Sequence, residues 1–169
     1  NKFKNVEAHT LNLDELFLAF SSSLSKFDNE HGMANSRARL RMTTLYQVAA
    51  ANKGIVVGTG NKVEDFGVGF YTKYGDGGVD ISPIADLMKS EVWELGKELG
   101  VLQEIIDAPP TDGLWEDGRT DQDQLGGLTY QQMERAMELD NLDAIPVGED
   151  EKLLKKYQEI RTPNLHKMN

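Results

Sequence analysis

Residues 66–80, Phe66-Gly67-Val68-Gly69-Phe70-Tyr71-Thr72-Lys73-Tyr74-Gly75-Asp76-Gly77-Gly78-Val79-Asp80, carry five glycines. Each glycine costs a helix about 1 kcal/mol relative to alanine, so a stable helix is excluded here. The stretch reads as a shaped loop with aromatic anchors, whose backbone can approach a ligand closely. Just upstream, Ile55-Val56-Val57 is a β-branched run bounded by Gly54 and Gly58. It reads as a short buried parallel strand ending in a turn. Gly58-Thr59-Gly60-Asn61 then lies past a strand's C-terminal end, the edge at which open α/β sheets bind ligands.

Helical patterns surround this segment. Residues 14–27 place Leu16, Phe17, Phe20, Leu24 and Phe27 at helical spacing after Leu13, with Asn12 as the cap. Residues 28–34 read as a loop, and Ser36 is expected to cap a second, alanine-rich helix running to about Ala51. Arg37, Arg39 and Arg41 then fall near that helix's N-terminus, where cations oppose the macrodipole. Either they serve an anion or they are three solvated arginines. Residues 91–99 form a helix with Val92, Leu95 and Leu99 on one face, Ser90 as cap and Gly100 beyond its end. Pro109-Pro110 ends the next short element. Residues 111–127 read as a polar, mobile surface loop. Thr129 and Gln132 match a capping box, with Met133, Ala136 and Met137 on the core face. Residues 149–161 form a last helix, with Leu153, Leu154, Tyr157 and Ile160 inward. The tail 162–169 shows no fold of its own.

Alternation of helices with a buried strand predicts an α/β architecture with a parallel sheet. With few strands visible, that sheet is expected to be incomplete. The start at Asn1 without Met reads as mid-chain sequence and points the same way. The 169 residues suffice for one domain and one core. A net charge of −10 and a pI near 4.7 disfavour general nucleic-acid binding. No apolar run approaches membrane-spanning length. The absence of cysteine excludes disulfides and thiol catalysis, and fits a reducing, cytoplasmic setting.

Chemistry concentrates at a few side chains. Thr59 can donate a hydroxyl at the strand end. Glu64 can ligate a hard cation such as Mg²⁺ through oxygen. Lys73 and Asp80 border the glycine loop, where the plain alternative is a surface ion pair. Lys89 stands just before a helix start, a combination that favours anionic oxygens. Only three histidines exist and none has a nucleophile-elbow neighbour. Gly58-Thr59-Gly60 lacks the later glycine of a dinucleotide fingerprint, and no Walker A lysine follows.

Taken together, Asn35-Ser36-Arg37-Ala38-Arg39, Gly58-Thr59-Gly60-Asn61-Lys62-Val63-Glu64 and Phe70-Tyr71-Thr72-Lys73-Tyr74-Gly75-Asp76-Gly77-Gly78-Val79-Asp80-Ile81 resemble the ammonia-dependent NAD synthetases. The order continues through Pro83, Leu87, Lys89, Pro110-Thr111 and Leu125-Gly126-Gly127-Leu128-Thr129-Tyr130, with a looser match at His166-Lys167. The Lys-Ser-Glu-Val-Trp-Glu-Leu-Gly run at residues 89–96 is similar also to GMP synthetases of the same ATP pyrophosphatase superfamily.

The resemblance implies a Rossmann-like parallel sheet flanked by helices, of the adenine nucleotide alpha-hydrolase-like kind. The chain would be the C-terminal portion, residues 1–169, of a single synthetase domain. It implies a carbon–nitrogen ligase that adenylates the nicotinate carboxylate of deamido-NAD with ATP and Mg²⁺. Ammonia then displaces AMP. By family position Arg39, Lys73, Asp80, His166 and Lys167 contact deamido-NAD, Thr59, Lys89 and Thr111 contact ATP, and Glu64 binds Mg²⁺. A homodimer follows from the same likeness, and Met42 and Tyr46 on the alanine-rich helix suit a close helix contact. The superfamily's Ser-Gly-Gly-x-Asp-Ser phosphate loop is absent from these residues, so this chain alone is expected not to turn over. Gly60-Asn61-Lys62-Val63 departs from the Asp-His-Ala-Ala of one family branch. A GMP-synthetase-like enzyme and a non-catalytic nucleotide-binding module are the alternatives.

Overall fold

The computed structural model describes residues 3–142 and 145–168. Asn1 and Lys2, on which the mid-chain reading partly rests, and Asn169 of the tail lie outside the described residues. Helices dominate: α1 (Asp14–Ser23), α2 (Glu30–Ala51), α3 (Lys89–Glu98), α4 (Gln103–Ile106), α5 (Asp121–Gln124), α6 (Tyr130–Asp140) and α7 (Glu149–Arg161). A π-helical turn spans Val63–Val68, and 3₁₀ turns span Ser25–Phe27 and Thr162–Lys167.

The expected strand is reduced to one parallel bridge, Val57 to Ile81. Gly58 N donates to Ile81 O at 2.8 Å and Asp80 N to Val56 O at 2.9 Å. Val56 is buried, but Ile55 and Val57 are 60% and 53% exposed. A parallel strand needs backbone neighbours at its edges and cover on both faces. Among the described residues this run has one bridge partner and cover on one face.

The core lies where α6 and α7 pack on the π-helical turn. Val63, Val68, Leu125, Leu128, Tyr130, Met133, Ala136, Met137 and Tyr157 are buried together. Thr129 caps α6 as expected: its hydroxyl accepts from Gln132 N at 3.2 Å, and Gln132 Oε1 accepts from Thr129 N at 2.9 Å. On α7, Tyr157 is fully buried, and Leu153, Leu154 and Ile160 pack beside it. The π-helical turn shows that the glycine-dense stretch begins inside a helical element. Gly67 is accommodated because Met137 lies against it, where a Cβ would meet the sulfur at 2.7 Å. Gly69, at φ +65, ends the turn in the left-handed region.

Several boundaries differ from expectation. Helix α2 starts at Glu30, not after Ser36, because Asn29 Oδ1 accepts from Gly32 N at 2.8 Å. Ser36 instead donates to Gly32 O from inside the helix. The three arginines therefore sit in its third and fourth turns, where the helix dipole no longer opposes them. Helix α1 stops at Ser23, and although Asn12 does bond Asp14 N, no residue of α1 is buried. Helix α3 begins at Lys89 and is capped through Glu91, whose carboxylate accepts from Met88 N at 2.7 Å. Ser90 instead donates both its amide and hydroxyl to Glu134 of α6. Gly100 follows α3 at φ +67, as its position predicted.

The 111–127 stretch is no plain surface loop. Arg37 donates to Leu114 O and Arg41 to Asp112 O and Gly113 O, and the stretch contains α5, with Asp121 buried in it and Leu125 buried just after it. The tail also folds, as the 3₁₀ turn Thr162–Lys167. Among the described residues no helix is long and apolar enough to cross a membrane.

Candidate active site

Two polar groups flank the core. The first is centred on Glu64, held in the π-helical turn, and Lys89 at the start of α3. Lys89 Nζ lies 2.9 Å from Glu64 Oε1, and both side chains are largely buried. Desolvation offsets much of the Coulomb gain of such a pair, so it stabilises the fold only modestly. Its geometry is well defined nonetheless. The Tyr130 hydroxyl donates to the same Oε1 at 2.7 Å, and the Lys89 ammonium sits 4.9 Å from the Tyr130 ring centroid. Asp121 Oδ2 lies 3.4 Å from that hydroxyl, while its Oδ1 is buried without a hydrogen-bond partner among the described residues. Burial, reinforced by repulsion from Glu64, pushes the Asp121 carboxyl up to about 6. Burial and the nearby Glu64 carboxylate also raise the Tyr130 hydroxyl.

The second group joins the glycine loop to α2 and the tail. Arg39 Nε donates to Lys73 O at 3.2 Å, and Lys73 Nζ to His166 O at 2.8 Å. Lys167 Nζ donates to Gly69 O and Tyr71 O at 2.9 and 2.8 Å, and the Tyr71 hydroxyl donates to Lys167 O. These cations are satisfied by carbonyls rather than carboxylates, so their positive charge is available to an anion. Burial pulls the Lys167 ammonium down, although Asp76 partly restores it.

Asp65, Tyr71, Asp76, Ser82 and Lys167 line a cavity of about 190 Å³ beneath the tail. Burial, then repulsion from Glu64 and Asp76, pushes Asp65 up to about 6. Asp76 is raised chiefly by burial, against the Thr72 amide that bonds it. A side chain at Gly60 would collide with the Asp65 carboxylate, which gives that glycine a steric reason.

Of the remaining expected residues, Thr59 lines a third space, while Asp80 and Thr111 stand next to residues that line it. Asp80 Oδ2 accepts from Val56 N at 2.7 Å, which ties the loop's end to the strand-like run. Asp80 and Lys73 thus each have their own partner and do not form the surface ion pair. Thr59 is exposed and lines a cavity of about 280 Å³ with Arg41, Val79 and Asp112. Thr111 bonds only locally, accepting from Gly113 N at 3.3 Å and donating to Arg119 O at 3.4 Å. Its neighbour Asp112 brings that segment to the Thr59 cavity. Glu64 with Lys89, and Arg39 with Lys73 and His166, are therefore directly connected, whereas Thr111 is bonded to none of the others. Sequence reasoning missed Tyr130 and Asp121. In the sequence Tyr130 stands after a cap and ends the family-like run 125–130 with no role attached, and Asp121 is one acid in a polar run.

The NAD synthase family model matches residues 2–168. The chain belongs to the NAD synthase family. Among relatives of this family, the NH(3)-dependent NAD(+) synthetase of Mesoplasma florum is 40% identical over 169 residues, which cover 97% of this chain and 64% of the relative. That of Carboxydothermus hydrogenoformans is 44% identical over 134 residues, covering 77% and 54%. The chain thus spans roughly half to just under two thirds of these relatives. Among solved structures, the NMN synthetase from Francisella tularensis aligns with a TM-score of 0.84 at 36% identity, covering 98% of this chain and 65% of that one. An NH3-dependent NAD synthetase from Campylobacter jejuni aligns with a TM-score of 0.65 at 26% identity, covering 94% and 62%. NAD synthase family members thus share both sequence and backbone course with this chain.

Proposed function

We propose that this chain forms part of a synthetase that uses ATP and ammonia to amidate the nicotinate carboxylate of deamido-NAD, releasing AMP and pyrophosphate. The observation that carries the reading is the arrangement along residues 58–80: a buried Glu64–Lys89 pair on one side and the Arg39, Lys73 and Lys167 cations, with His166 beside them, on the other. A carboxylate is a poor acyl donor to ammonia, and its mixed anhydride with AMP supplies a leaving group. The protein's task is then to position two anionic nucleotides and balance developing charge.

In this reading Thr59, Lys89 and Thr111 hold ATP, and Arg39, Lys73, Asp80, His166 and Lys167 hold deamido-NAD. Glu64 offers a hard oxygen ligand beside the Lys89 ammonium, a donor chemistry that suits Mg²⁺. When bound, the ion neutralises phosphate charge. Lys89 orients phosphates, while Lys73 and Lys167 orient the acceptor's phosphates and carboxylate, and the carbonyls that these two lysines now bond are the groups a substrate displaces. The parallel sheet belongs to the same proposal, supported by the Val57–Ile81 bridge. So do a homodimer, supported by exposed Leu16, Leu18, Phe27 and Leu45 on α1, its following turn and α2, and a cytoplasmic setting.

A second reading is favoured by one observation. The TM-score to the NMN synthetase exceeds that to the NAD synthetase of Campylobacter jejuni, 0.84 against 0.65. It replaces the dinucleotide acceptor by nicotinate mononucleotide. Full-length protein supplied with ATP, Mg²⁺ and ammonia, and with either nicotinate nucleotide, decides between them by which one supports AMP release. AMP release with xanthosine monophosphate and with neither nicotinate nucleotide defeats both readings. Arg39→Ala and Asp80→Ala variants that bind the acceptor as tightly as the unaltered protein defeat the site assignment.

A further inference from the structure

Tyr130 stands between the two charges of the first polar group and touches both by different parts of its side chain. Its hydroxyl donates to Glu64 Oε1 at 2.7 Å, the same oxygen that receives Lys89 Nζ at 2.9 Å. Its ring face lies under the Lys89 ammonium at 4.9 Å, and the Trp93 ring meets it edge-on at 5.7 Å. The residue is 6% exposed. Its place at the first turn of α6 is secured by the Thr129 capping box. The Glu134 carboxylate, one turn further along, holds the amide and hydroxyl of Ser90. Helix α6 thus holds the start of α3, where Lys89 sits, and through Tyr130 it also holds Glu64. Asp121, 7% exposed, closes the far side of the hydroxyl.

We propose that Tyr130 is a positioning residue, whose hydroxyl fixes the Glu64 carboxylate for a divalent cation while its ring retains Lys89 for an anionic ligand. The proposal rests on the reading of Glu64 as the cation ligand. The physical need follows from the shared oxygen. A cation arriving at Glu64 repels the Lys89 ammonium, and the Lys89 bond to Oε1 weakens. Among the described residues, the Tyr130 bond is then the remaining hydrogen bond on the carboxylate. The ring face offers the displaced ammonium an attractive surface, so Lys89 stays beside the site. Partners that orient a metal ligand commonly change metal affinity by about 10–100-fold when removed.

Mn²⁺ binding to the full-length protein, read by the electron paramagnetic resonance of free ion, tests this without turnover. Tyr130→Phe keeps the ring and removes only the hydroxyl, and is expected to weaken Mn²⁺ binding about tenfold. Tyr157→Phe is the control. It removes another buried tyrosine hydroxyl, bonded to Gly67 O at 2.9 Å, that does not touch Glu64, and is expected to leave Mn²⁺ binding within about twofold of the unaltered protein. Equal weakening by both variants, or none by Tyr130→Phe, overturns the proposal. Glu64→Gln separates the two levels: if it leaves Mn²⁺ binding intact, the reading of Glu64 itself fails. In the unaltered protein, Mg²⁺ titration is expected to perturb near-UV tyrosine absorption. A flat titration counts against the proposal even if Tyr130→Phe does not fold.

Discussion

Helices α1 and α6 both carry apolar residues at helical spacing, yet they meet opposite fates. In α6, Tyr130, Met133, Ala136, Met137 and Leu139 are buried, whereas α1 buries none of its residues. On α1, Phe17 is only partly covered, by the Arg37 guanidinium at 4.3 Å, and Leu18 remains 62% exposed. The difference lies in the neighbours. Helix α6 meets α7 and the π-helical turn, which surround it, while α1 meets little besides α2. Amphipathic spacing tells which side of a helix is to be covered, not whether a partner is present to cover it.

That contrast is open to direct test. The largest effect is expected at Met133, which is fully buried: Met133→Ala is expected to destabilise the fold by about 2–5 kcal/mol in urea unfolding. A smaller loss would mean that the α6–α7 core collapses around the gap. Lys167→Ala comes next. It leaves the Gly69 and Tyr71 carbonyls without their donor and is expected to cost about 1–3 kcal/mol. Amide exchange over residues 162–167 is expected to rise with it, and unchanged exchange would show that the tail is held by other contacts.

Asp65→Asn follows, with a distinct pH signature. The Asp65 pKa is raised from 3.8 to about 6 in the fold, so the folded state holds the proton more tightly than the unfolded chain does. Its contribution to stability is fully present below about pH 4 and is lost as pH rises through about 6. The asparagine variant is therefore expected to be more stable above pH 7, by on the order of 1 kcal/mol once solvent screening of the part-exposed carboxylate is allowed for. The advantage should vanish near pH 4. Melting temperatures at pH 4 and 8 check the sign. The smallest effect belongs to the uncovered helix: Leu18→Ala is expected to change stability by less than about 0.5 kcal/mol. A loss several times larger, growing with protein concentration, would show α1 to be buried between two copies.

Local chemistry made parts of the molecule legible in advance. The Thr129–Gln132 capping box, Gly100 after α3 and the inward face of α7 depend on residues within one or two turns. The start of α2 was misplaced because Asn29 and Ser36 are both competent caps, and His31-Gly32 looked like a break in the helix. The glycine loop and its flanking Glu64, Lys73 and Lys89 were visible as chemistry without geometry. The tail was not visible as structure, since Lys167 and Tyr71 are 96 positions apart.

The order of residue types along the chain determined the helix caps, the exclusion of a regular helix from the heart of the glycine loop, and the motifs that link this chain to the NAD synthase family. Only the tertiary structure decided that Lys89 shares one oxygen of Glu64 with Tyr130. It alone decided that the Lys167 ammonium bonds carbonyls, and that burial raises Asp65 and Asp121 above the usual carboxylate range. The reason is physical: caps and turns draw on neighbours a few residues away, whereas desolvation and charge pairing depend on which distant segments fold against one another.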